Sequence, residues 1–230
     1  MDDNATYYRT RLSGERLRRC YAIAPARVQQ YLDAEIAYVQ SRIRPMRTVL
    51  ELGCGYGRVL EHLVQPGRFC LGIDTSLESL LCAEETLATK PGWSVVAMDA
   101  ARLAFRPGIF DAVVCVQNGI CAFRVEPAAV LREALRVARP GGLVLFSSYS
   151  AAFWPHRLQW FEAQAAEGLV GEIDREATRP GEIVCKDGFR ARSLEAHEFR
   201  ELCIGFDVSP RVFDVDGSSV FFEVSRSCLA

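Results

Sequence analysis

Lysine is almost missing from this chain: of 27 basic side chains only Lys90 and Lys186 are lysines, which leaves little basis for Schiff-base chemistry. Long apolar runs are missing too. The longest resemble Gly141 to Phe146, far short of the roughly 20 residues that a membrane-crossing helix needs, so no membrane partner is expected. No two of the nine cysteines are spaced C-x-x-C and their number is odd, so neither a zinc ribbon nor a disulfide framework is indicated and no metal is expected. Most sit in apolar stretches such as Val113-Val114-Cys115-Val116 and read as small buried thiols in a reducing compartment. Charge of one sign is absent: the net charge is −2, without the positive field that draws nucleic acid or anionic lipid. The run Arg16, Arg18, Arg19 reads as a solvated helix face. The first residues, Met-Asp-Asp-Asn, lack a basic n-region and an apolar h-region, so a cytoplasmic protein is expected. Nothing in the pattern sets an oligomeric state.

What is there is an alternation of short apolar strands and amphipathic helices. Residues 1–45 read as a helical cover, with Val28, Tyr31, Leu32, Ile36 and Val39 on one face. Strands follow at Thr48–Leu52, Phe69–Ile73, Ser94–Met98, Asp111–Val116 and Leu143–Ser147. Helices are expected at Arg58–Gln65, after Ser76 with Leu77, Leu80, Leu81 and Leu87 inward, and at Glu126–Ala138. Nearly all-apolar strands between helices specify a parallel sheet covered on both faces, wound in the right-handed sense. Ligands of such sheets bind beyond the carboxyl ends of the strands. There the sequence puts Glu51, Asp74, Asp99, Gln117 and Asn118. A helix over Pro155–Ala166, a small hairpin around Lys186-Asp187-Gly188, a helix over Leu194–Cys203 and a last hairpin turning at Asp216-Gly217 complete the chain. The expected organisation is one domain over 1–230: cover 1–45, core 46–150, lid insertion 151–193, C-terminal helix and hairpin 194–230.

The segment Glu51-Leu52-Gly53-Cys54-Gly55-Tyr56-Gly57-Arg58 lies between a strand and a helix, where glycines allow a sharp turn and a close approach to a ligand. The helix start would offer free N–H groups. A dinucleotide fingerprint requires G-x-G-x-x-G, and here its third glycine is replaced by Arg58. A phosphate loop would need Gly-Lys-Ser/Thr, which is absent. Glu51 beside the loop would repel a pyrophosphate and suits a cationic group. Asp74, at the tip of the next strand, is placed to accept ribose hydroxyls. Together these favour a nucleoside cofactor with an ammonium group and no phosphate.

E-x-G-x-G-x-G, the strand-end Asp74, the further Asp99 and the later Arg139-Pro140-Gly141-Gly142 together resemble the class I S-adenosylmethionine-dependent methyltransferases of small-molecule type, over about Val49 to Tyr149. The resemblance implies a Rossmann-like, mostly parallel seven-stranded α/β sheet ending in an antiparallel hairpin, and S-adenosylmethionine as cofactor. It implies that Glu51, Gly53 and Gly55 line the methionine and ribose portion, with Cys54 and Gly57 in the same loop. Asp74 and Thr75 would hold the ribose, Asp99 and Ala100 the adenine, and Gln117 and Asn118 the methyl-donor end, with Tyr8 closing over the cofactor.

The acceptor must then enter over the fourth and fifth strands. The stretch around Tyr7, Tyr8 and Arg11, the strand end Tyr149, and an insertion bearing His156, Trp160, Arg190 and Arg192 are expected to roof it. Tyr149 and His156 are the candidates for a proton acceptor, but methyl transfer can proceed by orientation alone. The reading is therefore a cytoplasmic enzyme transferring a methyl group to a small molecule. Two alternatives are a methyltransferase for a soft element such as arsenic, which would require convergent thiols, and an NAD(P)-dependent oxidoreductase. Cys54 and Cys121 near the site read as polarizable fillers.

Overall fold

The protein is described by a computed structural model covering residues 4–123, 125–206 and 208–225. Three helices come first: α1 (Asn4–Thr10), α2 (Gly14–Ala22) and α3 (Ala26–Arg42). The alternating core follows as β1 (Thr48–Leu52), α4 (Leu60–Leu63), β2 (Phe69–Asp74), α5 (Leu77–Leu87), β3 (Trp93–Ala97), β4 (Phe110–Cys115), α6 (Gly119–Ala122), α7 (Pro127–Val137) and β5 (Ala138–Tyr149). The last third holds α8 (Trp154–Ala166), the pair β6 (Glu182–Val184) and β7 (Arg190–Arg192), α9 (Ala196–Leu202), β8 (Arg211–Val215) and β9 (Ser219–Ser225).

The main sheet has seven strands in the order β3-β2-β1-β4-β5-β9-β8. β1 to β5 run parallel, while β9 pairs antiparallel with β5 and β8 antiparallel with β9. The expected doubly wound sheet with a reversed last hairpin is the observed fold. Strand side chains alternate between two buried layers. Leu50, Val113, Val144 and Phe146 join α7 and α9 on one face. Val49, Val114, Leu143 and Leu145 join α3 and α4 on the other. This double burial is why the parallel strands are apolar throughout. The final turn works because Asp216 and Gly217 both take left-handed φ, 60° and 64°.

Four local readings are corrected. The helix expected over 58–65 is the single turn α4, because turns through Gly57 and Val59 occupy its first residues before Pro66-Gly67 ends it. A single turn is too short to act as an anion-binding helix terminus, so the glycine loop must work through its own backbone. On α5 the buried line is Leu80, Ala83 and Leu87, while Leu77 and Leu81 are 68% and 63% exposed. The reason is α2, which claims the adjacent face: the Gly14 N–H donates to Ser79 Oγ (3.0 Å) and Arg18 to Thr86 (3.2 Å). β5 begins at Ala138 and takes in Arg-Pro-Gly-Gly as a bulge between the pairs Phe110–Ala138 and Ala112–Leu143. The helix expected over 194–203 is the shorter α9, and the last hairpin pairs from Arg211 onward. The ninth cysteine, Cys228, lies outside the described residues.

Candidate active site

A cavity of about 490 Å³ opens at the carboxyl ends of the parallel strands, a size typical of small-ligand sites. One wall is the glycine loop. Gly53 and Gly55 have φ of 73° and 52°, which β-carbon-bearing residues rarely adopt. A Cβ on Gly53 would also stand 2.6 Å from the Phe123 ring. The loop is pinned from β2: the Gly53 and Cys54 N–H groups donate to Ile73 O (2.8 and 2.9 Å). The Gly55 N–H donates to Asp74 Oδ2 (2.9 Å), and the Ser76 N–H to Asp74 Oδ1 (2.8 Å). Burial pushes the Asp74 carboxyl up, opposed by the N–H groups of Ser76, Gly55 and Thr75. Asp74, Thr75, Asp99 and Ala100 continue this wall. Asp99 also caps a turn through the Ala101 N–H (2.8 Å).

Gln117 and Asn118 form the floor where β4 ends. Both are non-glycine residues with positive φ, 56° and 61°, a strained pair that persists only when its surroundings hold it. Glu35 does much of that holding. It is fully buried on α3 and accepts the Gln117 N–H (3.0 Å) and the Ser219 hydroxyl (2.6 Å). Burial pushes its carboxyl up; these hydrogen bonds and Ser147 oppose the shift. The Asn118 amide donates to Arg192 O (2.6 Å) and its carbonyl accepts from Ser148 (2.9 Å). Gln117 Oε1 accepts from the Tyr21 hydroxyl (3.0 Å), while Gln117 Nε2 is buried without a partner.

The roof joins the N-terminal helices to the insertion after β5. Tyr8, Leu17 and Tyr21 come from the N-terminal helices, Trp160 and Phe161 from α8, Arg190 and Arg192 from β7. The Tyr7 hydroxyl donates to Asp187 Oδ2 (2.9 Å), and Trp160 Nε1 donates to Cys20 O (2.9 Å). Of the residues expected to roof the acceptor, Tyr8, Tyr149, Trp160, Arg190 and Arg192 border this cavity, while Tyr7 and Arg11 lie at a separate surface pocket beside Asp187.

Of the fourteen residues expected to bind the cofactor or accept a proton, ten border the cavity: Tyr8, Gly53, Gly55, Asp74, Thr75, then Asp99, Ala100, Gln117, Asn118 and Tyr149. Four do not. Glu51 lies buried beneath the loop, 3% exposed, with Oε2 unpartnered. Burial pushes it up to about 8, against the pull of Arg58 and with repulsion from Asp74 adding, so it is largely protonated at neutral pH. Cys54 turns away and packs on β2, its sulfur where a Cβ on Gly72 would come within 2.7 Å. Gly57 (φ 85°) lies against α5, where a Cβ would meet Ala83 at 3.2 Å. His156 rests on the Phe153 ring, 5.5 Å between centroids, because the first turn of α8 directs Arg157 inward instead. Burial also raises the Tyr149 phenol, opposed by Arg157, so Tyr149 stays protonated and serves as a wall.

Sequence reasoning passed over Glu35 and Arg157. Glu35 had a visible signal, a carboxylate within the apolar face of α3. Arg157 had none beyond its place next to His156. Among the described residues Cys121 is the one cysteine bordering the cavity, its thiol pushed by burial up to about 11, so thiols do not converge there.

Residues 50–146 match a family described as "Methyltransferase domain". The chain is 32% identical over 135 residues to a ubiquinone biosynthesis O-methyltransferase of Methylococcus capsulatus, covering 57% of this chain and 53% of that protein. It is 36% identical over 109 residues to a demethylmenaquinone methyltransferase of Mycobacterium marinum, covering 47% and 44%. The chain thus spans about half the length of the curated relatives it matches. Its fold is that of the magnesium protoporphyrin IX methyltransferase of Synechocystis, solved with bound S-adenosylhomocysteine: TM-score 0.62, 20% identity, 98% of this chain and 100% of that one covered.

Proposed function

We propose, from the match of residues 50–146 to a methyltransferase-domain family and from the geometry of the cavity, that this chain is a class I S-adenosylmethionine-dependent methyltransferase and transfers a methyl group to a small molecule held under the roof of the cavity. The observation that carries this reading is one wall holding left-handed Gly53 and Gly55, the buried carboxyl of Asp74 and the strand-end Asp99. That donor set fits a nucleoside cofactor: Asp74 offers a buried acceptor for ribose hydroxyls, Asp99 an acceptor for an exocyclic amine, and the loop leaves no room for side chains. S-adenosylmethionine, when bound, supplies a methyl on a positively charged sulfur that is already electrophilic.

The chain's own residues then orient and enclose. Gln117 and Asn118 fix the floor between the cofactor wall and β5. Tyr149, Trp160 and Phe161 line the acceptor side of the cavity, and the N-terminal helices exclude water. No base in reach of the acceptor is required if the nucleophile is placed in line, about 3 Å from the methyl carbon. The two curated relatives named above are a ubiquinone biosynthesis O-methyltransferase and a demethylmenaquinone methyltransferase, and a ring acceptor suits these aromatic walls. The eight cysteines among the described residues are free thiols, in keeping with a cytoplasmic setting. The soft-element alternative lacks convergent thiols, and the loop lacks the dinucleotide spacing. Calorimetric titration with S-adenosylhomocysteine, followed by transfer of methyl label to a mixture of phenols and quinols, tests the reading. Absence of S-adenosylhomocysteine binding would overturn it.

A further inference from the structure

Two arginines of this protein are buried almost completely, and they differ in how their charge is met. Arg68 is 4% exposed, and each of its three nitrogens donates to a backbone carbonyl: Met46, Leu63, and the pair Ile43 and Arg44, at 2.8–3.2 Å. It closes the ends of α3 and α4, and its donors are spent. Arg157 is 1% exposed and borders the cavity. Nη2 donates to Ala191 O at 2.7 Å and Nη1 reaches Gly181 O at a long 3.4 Å, while Nε has no partner. Its guanidinium lies over the Tyr149 ring at 4.4 Å and near Phe161 at 5.8 Å. The ionisable groups that act most strongly on it are the hydroxyls of Tyr149, Tyr8 and Tyr31 and the thiol of Cys121, with no carboxylate among them. No carboxylate among the described residues pairs with it. Ring faces soften a cation's desolvation but do not neutralise it.

A second unpaired donor lies on the same cavity: Gln117 Nε2, buried with no acceptor. Both belong to the β4–β5 side, whereas Asp74 and Asp99 end β2 and β3 across β1. Strands about 4.8 Å apart put Tyr149 and its overlying Arg157 roughly 10 Å from β1, beyond the reach of the ribose site. We propose that the methyl acceptor is a ring compound bearing a carboxylate, that Arg157 receives this carboxylate as its missing counter-charge, and that Tyr149 and Trp160 flank the ring. This rests on the methyl-transfer reading for the word acceptor; the anion site itself rests on the geometry of Arg157. A carboxylate matches the planar guanidinium fork.

The test uses three acids, 3,4-dihydroxybenzoate, 4-hydroxycinnamate and indole-3-acetate, each against its methyl ester. Binding to the full-length protein is followed by tryptophan fluorescence, with and without S-adenosylhomocysteine. At least one acid should bind tenfold or more tightly than its ester, and Arg157→Met should abolish the preference. Arg157→Lys should keep part of it, and both variants should bind S-adenosylhomocysteine as the wild type does. If Arg157→Met fails to fold by circular dichroism, the wild-type acid-to-ester ratio and its reduction in Arg157→Lys decide the matter. Equal binding of every acid and ester by the wild type overturns the proposal. So does a tenfold loss of S-adenosylhomocysteine affinity in Arg157→Lys, which would assign Arg157 to the carboxylate of the cofactor. Loss of S-adenosylhomocysteine binding by the wild type, with the acid preference intact, would instead overturn the methyl-transfer reading and leave the anion site standing.

Discussion

Asp74 uses its two oxygens for two neighbours, Gly55 and Ser76, and still borders the cavity. Asp74→Ala should therefore act twice. It removes the proposed ribose acceptor, so S-adenosylhomocysteine affinity should fall at least tenfold by calorimetry. It also orphans two N–H groups, at about 1–3 kcal/mol in all, so the melting temperature should fall by several degrees. An unchanged dissociation constant with lowered stability would make Asp74 a brace for the loop and nothing more. Glu51 gives a pH signature. Its folded-state value, raised by burial to about 8, lies above the ordinary carboxylate value of the unfolded chain. The folded state thus holds the proton more tightly, and the stability Glu51 contributes is complete below the unfolded value and declines as pH rises through 8. Glu51→Gln should lose that decline, which is at most about 1.4 kcal/mol per pH unit. Melting temperature measured from pH 5 to 8 should fall less steeply in the variant. Parallel curves would mean that Glu51 is already ionised.

Among elements, α1 and the β6–β7 hairpin depend on each other. Tyr7 and Tyr8 pack against Phe189 with centroids 4.6 and 5.7 Å apart, and Tyr7 bonds Asp187. Yet Tyr7 and Asp187 are 180 residues apart, so this satellite core is held by contacts of high sequence separation. Deleting residues 1–12 removes Tyr8 from the cavity wall while leaving the seven-stranded sheet intact. Methyl transfer should drop by at least tenfold, with a smaller loss in chemical-denaturation midpoint. Full activity in the truncated chain would exclude the N-terminal helix from the site. Elements also explain a glycine that carries no motif. Gly72 in β2 leaves the space filled by Cys54 and Leu60, so the turn of the loop and the strand behind it are one packed unit.

For the whole molecule, ligand linkage separates cofactor classes. S-adenosylhomocysteine at a hundred times its dissociation constant should stabilise by about 2.7 kcal/mol and raise the melting temperature by roughly 5–10 °C, while NAD should leave it unchanged. The reverse pattern would favour an oxidoreductase. Much of this molecule was already determined along the chain. Strands buried on both faces must be apolar throughout, helices between them must carry one apolar face, and a cofactor loop needs glycines between the two. Those are local periodicities, so β1 to β5, the loop at Gly53 and Gly55, and the acids at strand ends were legible in order. Periodicity says which residues share a face, but not what arrives to cover it. Leu77 and Leu81 fit a stripe as well as Leu80 does, and only the arrival of α2 decided which leucines were left outside. Glu51 stands at a strand end as Asp74 does, yet packing turned it beneath the loop and into a protonated acid. His156 and Arg157 are neighbours in sequence, and only the backbone of Ala191 and the ring of Tyr149, brought from distant parts of the chain, decided that the arginine faces the cavity. Burial and partner identity depend on elements far apart in sequence, so the sheet, the glycine loop and the strand-end acids could be read from residues alone, and the burial of Glu51 and the inward turn of Arg157 could not.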